Sequence, residues 1–134
     1  MNIFEYVKTI LLDIAKSRGV EDDILLHKIT AEPPKEDIHG DVSTNIALLC
    51  SKKLNSNPRQ LAESFKELLV KNTYIDNVQI AGPGFINIFL NKNIFYECCK
   101  NVLNIKNEYG RSNYGKSEKV NIEYVSANPT GPMH

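Results

Sequence analysis

Hydrophobic residues recur every three or four positions at the start of the chain, which is the spacing of a helix that buries one face. The pattern predicts a helix over residues 3–18, with Asn2 as its N-cap and Gly19 just after its end. Residues 28–32 then alternate between apolar and polar side chains like a short strand. Pro33 begins a Pro-Pro pair that ends this strand, because proline has no backbone N–H to donate.

Two further helices are predicted by the same spacing in the middle of the chain. The first covers residues 42–54, and either Asp41 or Ser43 can cap it. The second starts at Asn57 and Pro58, since asparagine is a preferred N-cap and proline is tolerated at the first helical position. Each helix has one apolar stripe, which is expected to face the core.

The period then changes to that of strands. Two apolar runs, residues 75–80 and 85–90, are joined by Gly-Pro-Gly and predict a β-hairpin. Asn93 is expected to cap a last helix. Together these elements predict an α+β domain over residues 1–105. Its architecture would be a small antiparallel sheet of about three or four strands, with about four helices packed on one face.

Two side chains on the second hairpin strand suggest chemistry. Phe85 and Asn87 are two residues apart, so they lie on the same side of the strand. In one interpretation they simply occupy the solvent-facing side of a half-buried strand. In the other they form a platform for an unpaired base, because aromatic rings stack on bases and amides hydrogen-bond to base edges. The period of the strand is compatible with both.

A polar connector follows the predicted domain. Residues 106–117 contain basic residues, tyrosines and glycines, which predicts either a solvated linker or a track for an RNA backbone. Residues 119–122 alternate like a strand, and a loop with Asn-Pro and Gly-Pro follows them. A strand that ends in such a loop is where α/β enzymes place ligand contacts. Residues 118–134 are therefore expected to begin a second domain that this chain contains only in part.

Composition narrows the function classes only slightly. The chain has 134 residues with 16 basic and 16 acidic side chains, so any contact with nucleic acid is expected to be local or to be shared with other parts of a longer protein. No apolar run could cross a membrane and no signal peptide is recognisable, which predicts a cytoplasmic protein. The three cysteines form no Cys-x-x-Cys pair and are expected to be reduced and buried. His39 and Asp41 flank a glycine without a third ligand nearby, so no metal site is predicted.

The end of the chain and three internal motifs together carry a family resemblance. Residues 123–134 are Glu-Tyr-Val-Ser-Ala-Asn-Pro-Thr-Gly-Pro-Met-His, a run that resembles the opening of the catalytic domain of arginyl-tRNA synthetase, a class I aminoacyl-tRNA synthetase. Residues 40–47, Gly-Asp-x-x-x-Asn-x-Ala, then Asn57-Pro58 and residues 82–87, Gly-Pro-Gly-Phe-Ile-Asn, are similar to the additional N-terminal domain of that family. The resemblance covers the whole chain, and Met133 stands where leucine is commoner.

The resemblance implies roles for residues near the end of the chain, which would be the first strand and loop of a Rossmann-like catalytic domain. Ser126 and Asn128 would contact the substrate arginine. Glu123 would lie in the same pocket, where a carboxylate suits a cation. The ATP signature would comprise Pro129, Thr130, Gly131 and His134. Its histidine would stabilise the phosphate charge that develops as the adenylate forms.

The N-terminal domain of the family docks at the elbow of tRNA and recognises a base of the D-loop. By resemblance, Phe85 and Asn87 would hold that base. Gly82 and Gly84 at the hairpin tip belong to the same implied tRNA-binding set. The resemblance therefore favours the platform interpretation of the strand.

The parent protein implied by the resemblance is a monomeric, cytoplasmic arginine–tRNA ligase. It would activate L-arginine with ATP and Mg²⁺ and transfer the arginyl group to the 3′ end of tRNA(Arg), without contact with a membrane. The present chain is expected to contribute recognition of the D-loop, to bind no cofactor and to be inactive alone. The alternative function is a non-catalytic RNA-binding or protein-interaction module. Another class I synthetase is a lesser rival, because it would be expected to lack the Gly-Pro-Gly-Phe-Ile-Asn hairpin.

Overall fold

A computed structural model of the protein describes residues 2–126 and 130–131. The chain divides into two compact units, Met1–Asn104 and Ile105–His134. The helices of the described residues are α1 (Ile3–Ser17), α2 (Asp23–His27), α3 (Ile46–Lys53), α4 (Pro58–Leu69) and α5 (Lys92–Ile105). The strands of these residues are β1 (Val42–Thr44), β2 (Ile75–Ala81) and β3 (Phe85–Leu90). None of these helices is long and apolar enough to span a membrane.

The three strands form one antiparallel sheet in the order β1-β3-β2, so β3 is the central strand. Ile86 and Ile88 of β3 point to one side of the sheet and are fully buried there. Helices α3 and α4 pack against this side, and α1 packs on both of them. The largest fully buried core side chains include Phe65, Leu11, Ile29, Ile46, Leu69 and Ile94. By alternation, the opposite side of β3 carries Phe85, Asn87 and Phe89.

The predicted α+β class is confirmed, and so are the first helix, the helix after Asn57 and the hairpin. The Oδ1 atom of Asn2 accepts a hydrogen bond from the backbone N–H of Phe4 at 3.0 Å. The Oδ1 atom of Asn57 accepts one from the N–H of Arg59 at 2.9 Å. These elements were predictable because their caps and apolar faces are contained in short stretches of sequence.

The helix predicted over residues 42–54 is wrong at its start. Val42, Ser43 and Thr44 form β1, which pairs with β3 in the register Ser43↔Asn87. The hydroxyl of Thr44 accepts a hydrogen bond from the N–H of Ile46 at 3.3 Å, so α3 begins only after the strand. Neither Asp41 nor Ser43 caps α3. Three β-branched or small residues are too few to show a period of two, and here pairing with a distant strand decides their conformation.

Three smaller expectations also need correction. The strand expected over residues 28–32 is reduced to a single bridge between Glu32 and Ser43. The last helix begins at Lys92, and Asn91 rather than Asn93 is its cap, since the Asn91 side chain accepts from the Asn93 N–H at 2.9 Å. The described residues contain five α-helices where about four were expected, because the short turn after Asp22 is helical.

In the second unit, the described residues 118–126 contain no strand. Val120 and Ile122, which suggested the strand by their alternation, are exposed. An isolated strand has no partner for its backbone hydrogen bonds and no surface on which to bury its apolar face. Residues 119–122 therefore have the alternating pattern of a strand but are not paired in a sheet among the described residues.

The expectation of three buried cysteines holds only for Cys50, which is fully buried in α3. Burial raises the pKa of its thiol to about 11, so the thiol stays protonated near neutral pH and is a poor nucleophile. Cys98 is half-buried and Cys99 is exposed on α5. Cys50 therefore has a packing role in this fold.

Candidate nucleic-acid interface

The side of the sheet opposite the helices carries a row of polar side chains. Asn87 on the central strand lies between Ser43 of β1 and Gln79 of β2, and all three occupy the same register position. Phe85 is the next residue along β3 on this side. Phe85 is 43% exposed. One aromatic surface and three polar side chains are thus brought together on three strands.

Asn87 differs from the other buried polar residues of the described chain. Thr44 and Ser51 are buried and each makes a hydrogen bond, Thr44 with the N–H of Ile46 and Ser51 with the carbonyl of Leu48. The side chain of Asn87 is only 5% exposed, and its amide makes no hydrogen bond to any described residue. Among the described side chains that are buried or partly buried, no nitrogen or oxygen atom is closed off from solvent without a hydrogen-bond partner. The amide atoms of Asn87, which have no partner there, therefore still reach solvent.

This arrangement corrects the picture of an exposed aromatic ring beside an exposed amide. Phe85 is exposed as expected, but Asn87 lies at the bottom of the surface, with Ser43 and Gln79 on either side. Because the Asn87 amide has no partner among the described residues but reaches solvent, water can satisfy it in the free protein and a ligand can replace that water. The geometry is that of a fixed hydrogen-bonding group at the floor of a binding surface.

A depression of about 210 Å³ adjoins the ring of Phe85. Its lining includes Glu32, Pro33, Pro34, Lys35, Ser43 and Phe85. Pockets that enclose drug-sized ligands measure roughly 300 to 1,000 Å³, so this one has room for a single ring system rather than a whole nucleotide. A larger groove of about 670 Å³ lies between α2 and α3, but its lining contains no aromatic ring. The depression beside Phe85 is the better match to a flat polar ligand.

The hairpin tip is held against the start of α4. Gly84 has φ +145°, and a Cβ atom there would lie 3.1 Å from the Cβ and carbonyl oxygen of Pro58. Gly82 has φ +52°, a conformation that suits glycine, although a side chain there would meet nothing. The guanidinium of Arg59 donates to the Gly82 carbonyl at 3.3 Å. These contacts fix the turn that leads into Phe85.

The Gly-Asp-x-x-x-Asn motif supports the same strand from its other end. The backbone N–H of Asp41 donates to the Ile88 carbonyl at 2.9 Å, and the Asp41 carboxylate accepts from the Leu90 N–H at 2.7 Å. The amide of Asn45 accepts from the Thr30 N–H at 3.0 Å and donates to the Lys28 carbonyl at 3.2 Å. These residues therefore position β3 and the loop beside the depression.

The remaining candidate residues lie in the second unit. Glu123 and Ser126 are described and exposed, and so are Thr130 and Gly131. Asn128, Pro129 and His134 lie outside the described residues. In the described part of the chain, no group of three His, Cys, Asp or Glu side chains could hold a metal ion.

Ser43 and Gln79 were missed by sequence analysis. Ser43 was assigned to a helix, and Gln79 is one polar residue among several on β2. For Gln79 the only available signal was the alternation of β2. Gln79 stands two positions before Ala81, so the two side chains lie on the same side of the strand. Their relation to Asn87 depends on strand register, which the separate segments do not specify.

Comparison with known proteins identifies relatives of this chain. Residues 2–90 match the family model described as the arginyl tRNA synthetase N terminal domain. The arginine–tRNA ligases of Bartonella bacilliformis and Rhizobium etli are 40% and 44% identical to it over its whole length, which covers 24% of each relative. That of Rhodopseudomonas palustris is 52% identical over 81% of the chain and 18% of the relative. The chain thus spans about a quarter of the length of the first two relatives.

Proposed function

The chain belongs to the arginyl-tRNA synthetase family, whose N-terminal domain it contains, and from this premise we propose that the side of β3 with Phe85 and Asn87 binds the D-loop of tRNA(Arg). The observation that carries the proposal is the amide of Asn87. Asn87 is only 5% exposed and lies on a surface that also carries an exposed ring, and its amide reaches solvent but has no hydrogen-bond partner among the described residues. RNA loops offer unpaired bases that need both a stacking surface and a polar group at their edge.

In the proposed complex one base of the D-loop stacks on Phe85 and its edge hydrogen-bonds to the amide of Asn87. Gly82 and Gly84 shape the turn that presents the ring. Ser43 flanks the amide, and its hydroxyl can both donate and accept. Since an amide also donates and accepts, the direction of each hydrogen bond follows from the base that is bound.

For the whole parent protein we propose the activity that the relatives are named for. Residues 1–105 would be the tRNA-binding domain, residues 106–117 a linker and residues 118–134 the start of the catalytic domain. The arginine contacts would be Glu123, Ser126 and Asn128, and the ATP contacts Pro129, Thr130, Gly131 and His134. The parent would use ATP with Mg²⁺ to activate L-arginine, as a monomer in the cytoplasm.

The 134-residue chain alone is expected to form no arginyl-adenylate, because it spans about a quarter of the length of its relatives. The measurement is arginine-dependent exchange of pyrophosphate into ATP, with a full-length relative as the positive control. Exchange above the background without arginine would contradict this expectation and would leave the D-loop proposal untouched.

The role of Asn87 is tested by replacing it with leucine, which has a similar shape and no polar atoms. We expect affinity for tRNA(Arg) to fall about fivefold or more, since one hydrogen bond contributes about 1 kcal/mol. The free energy of unfolding should stay the same or rise slightly, because the amide has no protein partner to lose. Affinity is measured by titration with a tRNA(Arg) transcript and stability by urea denaturation.

Asn45→Leu is the matched control. This amide makes two hydrogen bonds to the chain, with Thr30 and Lys28. Its replacement is expected to lower the free energy of unfolding by about 1 to 3 kcal/mol. If Asn87→Leu behaves like Asn45→Leu, the Asn87 amide has a structural role. If Asn87→Leu leaves the tRNA affinity unchanged, the D-loop proposal fails at this residue.

A further inference from the structure

Arg59 lies where the hairpin tip meets the first turn of α4. Its backbone N–H is bound by the Asn57 cap at 2.9 Å, and its guanidinium donates to the Gly82 carbonyl at 3.3 Å. Gly82 follows Ala81, and Ala81 pairs directly with Phe85 across the hairpin. The Arg59 guanidinium is therefore bound at Gly82, which is the neighbour of Ala81, the residue that pairs with Phe85.

Among the described residues, no carboxylate forms an ion pair with the Arg59 guanidinium. Glu63 is four residues further along α4, at a spacing that often gives an ion pair on a helix. The ion pairs among the described residues are instead Lys100–Glu97 and Arg111–Glu108. Guanidinium has five N–H donors, so the bond to Gly82 leaves most of them available.

The position of this positive charge matters because the chain as a whole has no excess of positive charge. With 16 basic and 16 acidic residues, the chain has no net charge to attract RNA over its whole surface. A phosphate contact made by this chain is then expected from a cation close to the base site. An arginine at such a place can hold a phosphate through two parallel hydrogen bonds.

We propose that Arg59 is a phosphate contact of the RNA whose base stacks on Phe85. This inference rests on the proposed function and adds a backbone-binding residue to it. Phosphate contacts fix the position of RNA without selecting its sequence, whereas base contacts select it. Phe85 and Asn87 would select the nucleotide, and Arg59 would hold the adjacent backbone.

The test is Arg59→Gln in the 134-residue chain, titrated with a tRNA(Arg) transcript at a series of potassium chloride concentrations. Loss of one phosphate contact should reduce the slope of log affinity against log salt by about 0.7, which corresponds to about fivefold weaker binding at about 0.1 M salt. Arg59→Lys should keep most of the slope, because the charge remains. Thermal unfolding followed by circular dichroism checks that each variant is folded.

Arg18→Gln is the matched control. Arg18 is also exposed, and its guanidinium donates one hydrogen bond to a neutral acceptor, the Ser64 hydroxyl, at 2.7 Å. Arg18 follows α1, and its contact on α4 lies more than one helical turn beyond Arg59. Its replacement should change neither slope nor affinity. Weaker binding by Arg59→Gln with an unchanged salt slope would mean that the residue only supports the hairpin, and would overturn the inference.

Failure of this inference and failure of the proposed function give different results. If Phe85→Ala weakens binding while Arg59→Gln changes neither affinity nor slope, the base site stands and the phosphate contact is wrong. If neither variant changes binding, the D-loop proposal itself fails and the inference falls with it. A reduced slope for Arg59→Gln together with weaker binding by Phe85→Ala supports both.

Discussion

Phe85→Ala is expected to lower the affinity of the chain for tRNA(Arg) about 5- to 150-fold. Stacking of one base on an aromatic side chain contributes about 1 to 3 kcal/mol, and about 1.4 kcal/mol corresponds to a factor of ten. Because the ring is 43% exposed and lies opposite the core, the free energy of unfolding should change by no more than about 1 kcal/mol. The measurements are a titration with a tRNA(Arg) transcript and urea denaturation.

Phe95→Ala supplies the control for that experiment. Phe95 is 41% exposed, so the same truncation removes an equally accessible ring from the same unit, but from α5 instead of β3. Its tRNA affinity should match that of the unaltered chain. Equal losses for both variants would point to nonspecific contact with exposed aromatic rings. Full affinity of Phe85→Ala would remove the stacking proposal.

Gly40→Ala is expected to lower the free energy of unfolding by about 2 to 4 kcal/mol. Gly40 has φ 88° and ψ −158°, a combination that is essentially restricted to glycine and costs other residues about 1 to 3 kcal/mol. A Cβ atom would also lie 2.7 Å from the carbonyl oxygen of Ile88, on the central strand. Relief of that overlap would require a shift of β3 or of the Asp41 contacts. Urea denaturation followed by circular dichroism measures the loss.

Gly19→Ala separates the cost of backbone strain from the cost of the steric overlap with β3. Gly19 has φ +81°, but a Cβ atom there would have no neighbour within 4 Å. The cost should therefore be about 1 kcal/mol, from the left-handed conformation alone. If the two variants lose equal stability, the close approach of Gly40 to β3 contributes nothing. A larger loss for Gly40→Ala would confirm that this glycine is required by the packing of the strand.

The predictable part of the fold is the part that is encoded locally. Asn2 and Asn57 each cap a helix within their own first turn, and Gly-Pro-Gly specifies a turn between two apolar runs. By contrast, β1 is a strand because Ser43 pairs with a residue 44 positions later. A three-residue segment has too little pattern of its own to compete with the helical spacing that follows it. Its conformation is a tertiary effect.

The candidate site was predictable to a similar extent. Phe85 and Asn87 could be identified as sharing one side of a strand, because alternation is a local rule. The burial of Asn87 could not be predicted, since it results from strands on both sides of β3. The same is true of Arg59, whose guanidinium reaches the hairpin from the start of a different helix. Sequence analysis therefore named the two residues that are proposed to recognise a base and missed the groups around them.

The central position of β3 has a consequence for how binding occurs. A strand paired on both edges can expose its backbone amides only when the sheet itself opens, so its residues belong to the most slowly exchanging part of the unit. Phe85 and Asn87 are attached to this strand, and the tip beside them is tied to α4. In the proposed complex the site would already be ordered before the RNA arrives, so the protein would lose little conformational entropy on association. In the proposed complex the rearrangement would fall to the RNA, whose loop must turn a base outward to reach a surface that does not move toward it.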